Sequence, residues 1–312
     1  MPSLSIVIPA LGPSAVLEQT LLAVLESRPA DSEIVVIDAF GYDDPYQLRG
    51  EVEIISAPQA GWIDCANLGA AHSRGDVLHL LGAGAAVVEG WTEAARERFE
   101  DERVGAVAPL ARSLEKPAVI VAAGIDYRSL SGVIRRGAGQ KISERWMRPS
   151  KVFGALTAAG FFRRDAWLEA GGLSPRLSAD GADADLSKRI SAAGFQNIYE
   201  PASLIDLPTS FRVEADTEFQ RARRAEHLFW RLRPEPKSGF LATMHGVGVL
   251  GAIVSRIGRG SLAHAFGRIA GFFQSTRDAQ HPATTGSSIP APHAAGAATR
   301  RTARVSSSSR AA

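Results

Sequence analysis

The chain has very little cysteine, no long apolar run and no surplus of charge of either sign. Cys65 is the single cysteine in 312 residues, which excludes an internal disulfide framework and suits a reducing compartment. No uninterrupted apolar stretch reaches the ~18 residues of a membrane span. The nearest, Gly239 to Val254, is broken by His245 and several glycines. A formal net charge of +2 provides no global field for nucleic acid, and no nucleic-acid partner is expected. The opening SLSIVIPA is preceded by no basic n-region and followed by no small-residue cleavage site, so the expected location is cytoplasmic. Histidine is missing between His79 and His227.

What is there alternates. Ser3–Ala10, Glu33–Ala39, Val52–Ala57, Val77–Leu81 and Val104–Pro109 are short apolar runs with the character of buried parallel strands. Helical patterns separate them: one after Ser14 with Leu17, Leu21, Val24 and Leu25 on one face, Trp62–Ser73, and the charged Thr92–Glu100. This spacing predicts βαβ units and a mainly parallel sheet with helices on both faces. Ligands of such sheets bind beyond the carboxyl ends of the strands, here Pro9-Ala10, Asp38-Ala39 and Gly82–Gly84. Further on, Val119–Gly139 predicts a hairpin and Phe153–Phe162 a strand. Helices are expected over Ala166–Ala170, capped by Asp165, and over Asp183–Ala193, and a last strand over Asn197–Glu200. The charged helix Glu214–Arg233 and the Gly-rich amphipathic stretch Gly239–Phe273 make a helical C-terminal extension (213–274). From Ser275 a Ser, Ala, Pro, Thr and Arg composition predicts a disordered basic tail (275–312).

Four stretches in order carry a family resemblance. SIVIPA and EIVVIDA resemble the first two strands of family 2 glycosyltransferases. CANLGAAHSRGDVLHLL resembles the approach to that family's metal motif, and AAGFFRRDAWLEAGGLSPRL with GADADLSKRISAAGF its acceptor-side segment. The resemblance covers about Leu4 to Leu207. It implies a GT-A-like domain over residues 1–212, a nucleotide-diphospho-sugar donor, and a glycan, lipid-linked or protein acceptor attacked with inversion. The chain departs from the pattern in several places. Gly82 and Gly84 stand where the family has metal-binding aspartates, Ala39 follows Asp38 where a second aspartate is common, and Ala66 precedes Asn67 in place of a basic residue. The divalent metal of the family is therefore doubtful, since hard cations need several carboxylate or carbonyl oxygens. Asp76 lies at the wrong end of a strand that rises ~3.3 Å per residue.

The resemblance implies Asp183 as the base that takes the acceptor's proton, against the plainer reading that Asp183 and Asp185 complement a helix N-terminus. Asp38 would meet the base or ribose of the nucleotide, or else cap the turn after its strand. Pro9, Ala10, Asn67, Gly82 and Gly84 complete the expected donor site. Without a metal, cationic side chains would have to face the leaving diphosphate, with Arg135, Arg136, Lys141 and Arg148 as candidates. Trp146 is the candidate tryptophan for stacking on an acceptor sugar. The pattern of 239–273 is that of helices packed against the catalytic domain, with peripheral contact at the inner face of a membrane as the alternative. The competing function is a catalytically inactive, glycosyltransferase-like binding module. A dinucleotide-binding enzyme is excluded, since PALGPS supplies one glycine after the first strand where a Gly-rich turn is needed.

Overall fold

The computed structural model describes residues 1–209, 211, 217–233, 239–257 and 262–280. Its centre is a mixed, mainly parallel sheet. β1 (Leu4–Ala10), β2 (Ser32–Asp38), β3 (Glu53–Ser56) and β4 (Val77–Leu80) fall on the expected apolar runs and run parallel, in the order β3-β2-β1-β4. α1 (Ser14–Ser27), α2 (Trp62–His72) and α3 (Glu93–Arg98) connect them or follow them. The strands are buried on both sides, so Val and Ile fill consecutive positions and no alternation is visible.

The second half of the sheet is built from chain segments far apart in sequence. β5 (Val104–Ser113) carries β6 (Ile120–Ala122) along its far end, and β7 (Ile125–Arg128) pairs with β8 (Gly132–Arg135) as the expected hairpin. β9 is the two-residue Ser150–Lys151. β10 (Phe161–Arg163) lies antiparallel between β4 and β5 and joins the two halves. The strand expected over Phe153–Phe162 is thus only its last two residues plus Arg163. The rest crosses the sheet as a loop, tied to β4 by Leu80 N–H to Gly160 O and Gly82 N–H to Ala158 O. A short apolar run buried as a loop gives the same pattern as one buried as a strand.

α4 (Arg164–Glu169) follows β10, with Arg163 at its N-cap and Asp165 inside its first turn. α5 spans Ala179–Ala192 and begins four residues before the expected start, capped by Ser178, whose hydroxyl accepts from Gly181 N–H. β11 (Gln196–Leu207) is three times the expected length and runs parallel to β5. The C-terminal helices are α6 (Glu218–Leu232), α7 (Gly239–Ile257) and α8 (Ala263–Gln280). α8 runs six residues into the stretch expected as tail, and the remainder of that stretch lies outside the described residues. Among the described residues, no helix is long and apolar enough to cross a membrane.

Candidate functional site

The ends of β1, β2 and β4 meet at one edge, where Ala10 pairs with Asp38 and Val7 with Leu80. Each expected donor-site residue lies there or just behind it, but their side chains have other work. Asp38 is buried, and its carboxylate accepts from the backbone N–H of Phe40 (3.1 Å), Gly41 (2.9 Å) and Tyr42 (2.8 Å). It shapes the loop after β2, which is the turn-capping reading of this residue. Asn67 is corrected more firmly. Its amide donates to Leu173 O and accepts from Leu173 N–H, both at 2.8 Å, so it fastens α2 to the loop after α4 and is buried with both amide atoms engaged. Pro9 and Ala10 are buried backbone of β1.

The loop after β4 shows what has become of the metal position. Gly82 N–H donates to Ala158 O, and Ala85 N–H closes a turn on Gly82 O. A Cβ on Gly82 would lie 2.1 Å from the ring of Phe211. Gly84 has φ +94°, a left-handed conformation that strains any side-chain-bearing residue, and its space is bounded by Val16 and Pro208. Aromatic and aliphatic carbon therefore fills the place in which two carboxylates would have to stand. Among the described residues, no three His, Cys, Asp or Glu side chains gather closely enough to hold a metal ion. The residues present do not fit the divalent ion that the resemblance implies.

Opposite this loop stands Asp183, 1% exposed, inside α5 rather than at its start. The helix-terminus reading is overturned for both acids, since each sits more than one turn in. Asp185 pairs with Arg189 one turn along α5 and joins α5 to α6 through Arg231, both at 2.7 Å. Thr157 Oγ1 donates to Asp183 Oδ1 at 2.6 Å and accepts from Trp62 Nε1 at 3.2 Å. The Trp62 ring in turn meets Phe211 edge-on, centroids 5.7 Å apart. A continuous line of contacts, Asp183–Thr157–Trp62–Phe211–Gly82, thus spans the site from the candidate base to the former metal loop. Sequence reasoning passed over Thr157, Trp62 and Phe211. Thr157 left one trace, as the single hydroxyl in the apolar run Phe153–Phe162.

The expected cations separate. Arg135 is at the site, donating to Phe211 O at 3.0 Å and pairing with Asp180 at 3.3 Å. Arg136 lies between the Trp146 and Tyr199 rings at 5.9 and 5.8 Å and pairs with Asp126. Lys141 and Arg148 are exposed. The Trp146 ring is partly covered by Arg136, Arg145 and the backbone of Gly137, which pack it against the hairpin. Beside Arg135 opens a pocket of about 460 Å³ walled by Ile120, Val133, Arg135, Ser178, Asp180 and Arg224. Burial pushes the Cys65 thiol up to about 11, so it is no nucleophile at neutral pH.

Comparison with known proteins places this geometry. The family model described as glycosyl transferase family 2 matches residues 5–166. No curated protein gives a significant sequence match. Among solved structures, GalNAc-T7 with UDP, GalNAc and Mn2+ is similar at TM-score 0.58 and 18% identity, over 73% of this chain and 47% of that one. The mannosyltransferase PcManGT from Pyrobaculum calidifontis, in complex with GDP-Man and Mn2+, is similar at TM-score 0.52 and 17% identity, over 93% and 77%. S. aureus TarS is similar at TM-score 0.52 and 9% identity, over 73% and 39%. The chain thus spans about half the length of the first of these. The shared fold is GT-A.

Proposed function

The chain belongs to glycosyl transferase family 2, and from that premise we propose that it transfers a sugar from a nucleotide-diphosphate donor with inversion, using no metal held by side chains. The observation that carries this reading is Asp183, a buried carboxylate oriented by the Thr157 hydroxyl at the carboxyl edge of the sheet. Asp183 would take the proton of the acceptor hydroxyl as that oxygen attacks the anomeric carbon and the nucleoside diphosphate leaves. General-base help of this kind contributes ~10²–10⁴ in rate. The negative charge of the leaving diphosphate would be met by Arg135 and by backbone N–H groups of the strand ends. The pocket beside Arg135 is assigned to the acceptor, a glycan, a lipid-linked sugar or a protein. Residues 1–212 would carry the chemistry, in a cytoplasmic setting.

A second reading rests on Phe211. With its ring on Gly82 and against Trp62, the edge that a donor diphosphate would occupy is closed, as in a module that has given up transfer and binds a partner enzyme or a nucleotide sugar. Calorimetric titration with uridine, guanosine and thymidine diphosphate sugars, with manganese and with chelator, separates the readings. The proposal expects one donor to bind equally in both conditions and Asp183→Asn to abolish transfer while keeping that affinity. Binding that requires manganese would overturn the metal-free site. Binding without turnover, or no binding, selects the inactive module.

A further inference from the structure

α7 and α8 are built inside out. Their polar side chains face inward: His245, His264 and Arg268 are each at most 5% exposed. Glu226 of α6 holds both helices at one point, accepting from His245 Nε2 at 3.0 Å and from Arg268 Nη1 at 3.1 Å. Their apolar side chains face outward. Phe240, Met244, Val247 and Val254 on α7, and Phe266, Ile269 and Phe273 on α8, are between 52% and 74% exposed. Of the nineteen large apolar side chains exposed among the described residues, ten lie on these two helices. Apolar area concentrated in this way marks an interaction surface, whereas singly scattered residues would not.

The charge around this surface indicates what covers it. Residues 239–312 hold eight arginines and one acidic residue, Asp278, out of the chain's 35 basic and 33 acidic residues. The first 238 residues therefore carry 27 basic against 32 acidic. From Gly239 to Arg277 there is no carboxylate at all, and Arg256 and Arg259 stand in the chain between the two apolar faces. A second copy docked on the same face would bring two such positive segments together. A bilayer surface containing anionic phospholipid supplies an apolar boundary and the opposite charge at once.

We propose that α7 and α8 dock this protein on anionic membrane surfaces, lying in the interface without spanning it. Their exposed side chains enter the headgroup–acyl boundary, and the arginines of 239–312 other than the buried Arg268 meet lipid phosphates. The two clamped helices act together, because one hydrophobic anchor alone holds a protein only marginally and a second signal makes attachment stable. The proposal goes beyond the donor chemistry and stands apart from it.

The full chain should sediment with vesicles of phosphatidylcholine mixed with phosphatidylglycerol, and less with phosphatidylcholine alone. Val247→Glu combined with Phe266→Glu replaces two exposed side chains. It should keep the parent melting temperature and weaken vesicle binding about tenfold or more. Asp183→Asn should bind vesicles like the parent, so this proposal and the transfer reading fail separately. Absence of partition to the mixed vesicles, or equal partition of parent and double variant, would overturn the proposal. So would a dimer in sedimentation velocity that the double variant abolishes, without any vesicle binding.

Discussion

At the scale of single residues, polar side chains in apolar surroundings decide what this chain tolerates. His79 stacks on Phe161 at 3.8 Å and donates from Nδ1 to Gly160 O, fully buried in β4. Burial pushes its imidazole down to about 3, with the Gly160 hydrogen bond acting the other way. An unfolded histidine titrates near ~6.5. Below that pH the unfolded chain takes up a proton that the folded chain refuses, so stability is full above ~6.5 and declines as pH falls toward 3, by about 1.4 kcal/mol per pH unit. His227 is shifted down as well, again through burial, and adds a slope of the same sign. Urea denaturation at about pH 7 and about pH 5 should show this loss, and His79→Leu should remove the larger part of it. Phe211 governs access to the crevice. Phe211→Ala should tighten donor binding in calorimetry by uncovering Gly82. Unchanged or weaker binding would show that the ring is not in the donor's way.

At the scale of elements, the site depends on joints between helices and loops. Asn67 is the joint between α2 and the loop that leads to α5, with both its amide bonds on Leu173 buried. Asn67→Ala leaves a backbone N–H and a backbone C=O without partners and is expected to cost about 1–3 kcal/mol in chemical denaturation. Donor affinity should stay as it was, because both amide atoms are already engaged by Leu173. A loss of affinity with unchanged stability would return Asn67 to the donor site. The motif resemblance identified the right residue here and implied the wrong duty. An Asn-Leu-Gly on a small-residue helix reads the same whether its amide faces a ligand or a loop more than a hundred residues away.

At the scale of the whole molecule, one carboxylate fastens the C-terminal helices to the rest. Burial alone would raise the Glu226 carboxyl, but hydrogen bonds from His245, Trp230 and Arg268 hold it below the usual range. Glu226→Gln leaves Arg268 buried beside a neutral amide and should cost about 3 kcal/mol or more. The lost stability should be visible in the melting temperature and in faster proteolysis between α6 and α8. If the variant melts like the parent, Glu226 is not what clamps α7 and α8. The same architecture sets charge against charge. The first 238 residues are net acidic, and they are followed by a basic, outward-apolar stretch that begins with α7.

The sequence by itself determined the family, the order of the first five strands and the lack of metal carboxylates. Each of these is written locally: buried parallel strands are continuous Val and Ile runs, and a missing aspartate is a missing letter. Tertiary structure decided the rest. That β10 is three residues long and joins two half-sheets follows from hydrogen bonds to β4 and β5, strands that begin 84 and 57 positions earlier. That Thr157, Trp62 and Phe211 connect Asp183 to Gly82 depends on segments from five parts of the chain meeting at one edge. Composition marked 239–273 as amphipathic. Only packing on Glu226 decided which face is buried, because helical periodicity separates polar from apolar residues without saying which set the protein turns inward.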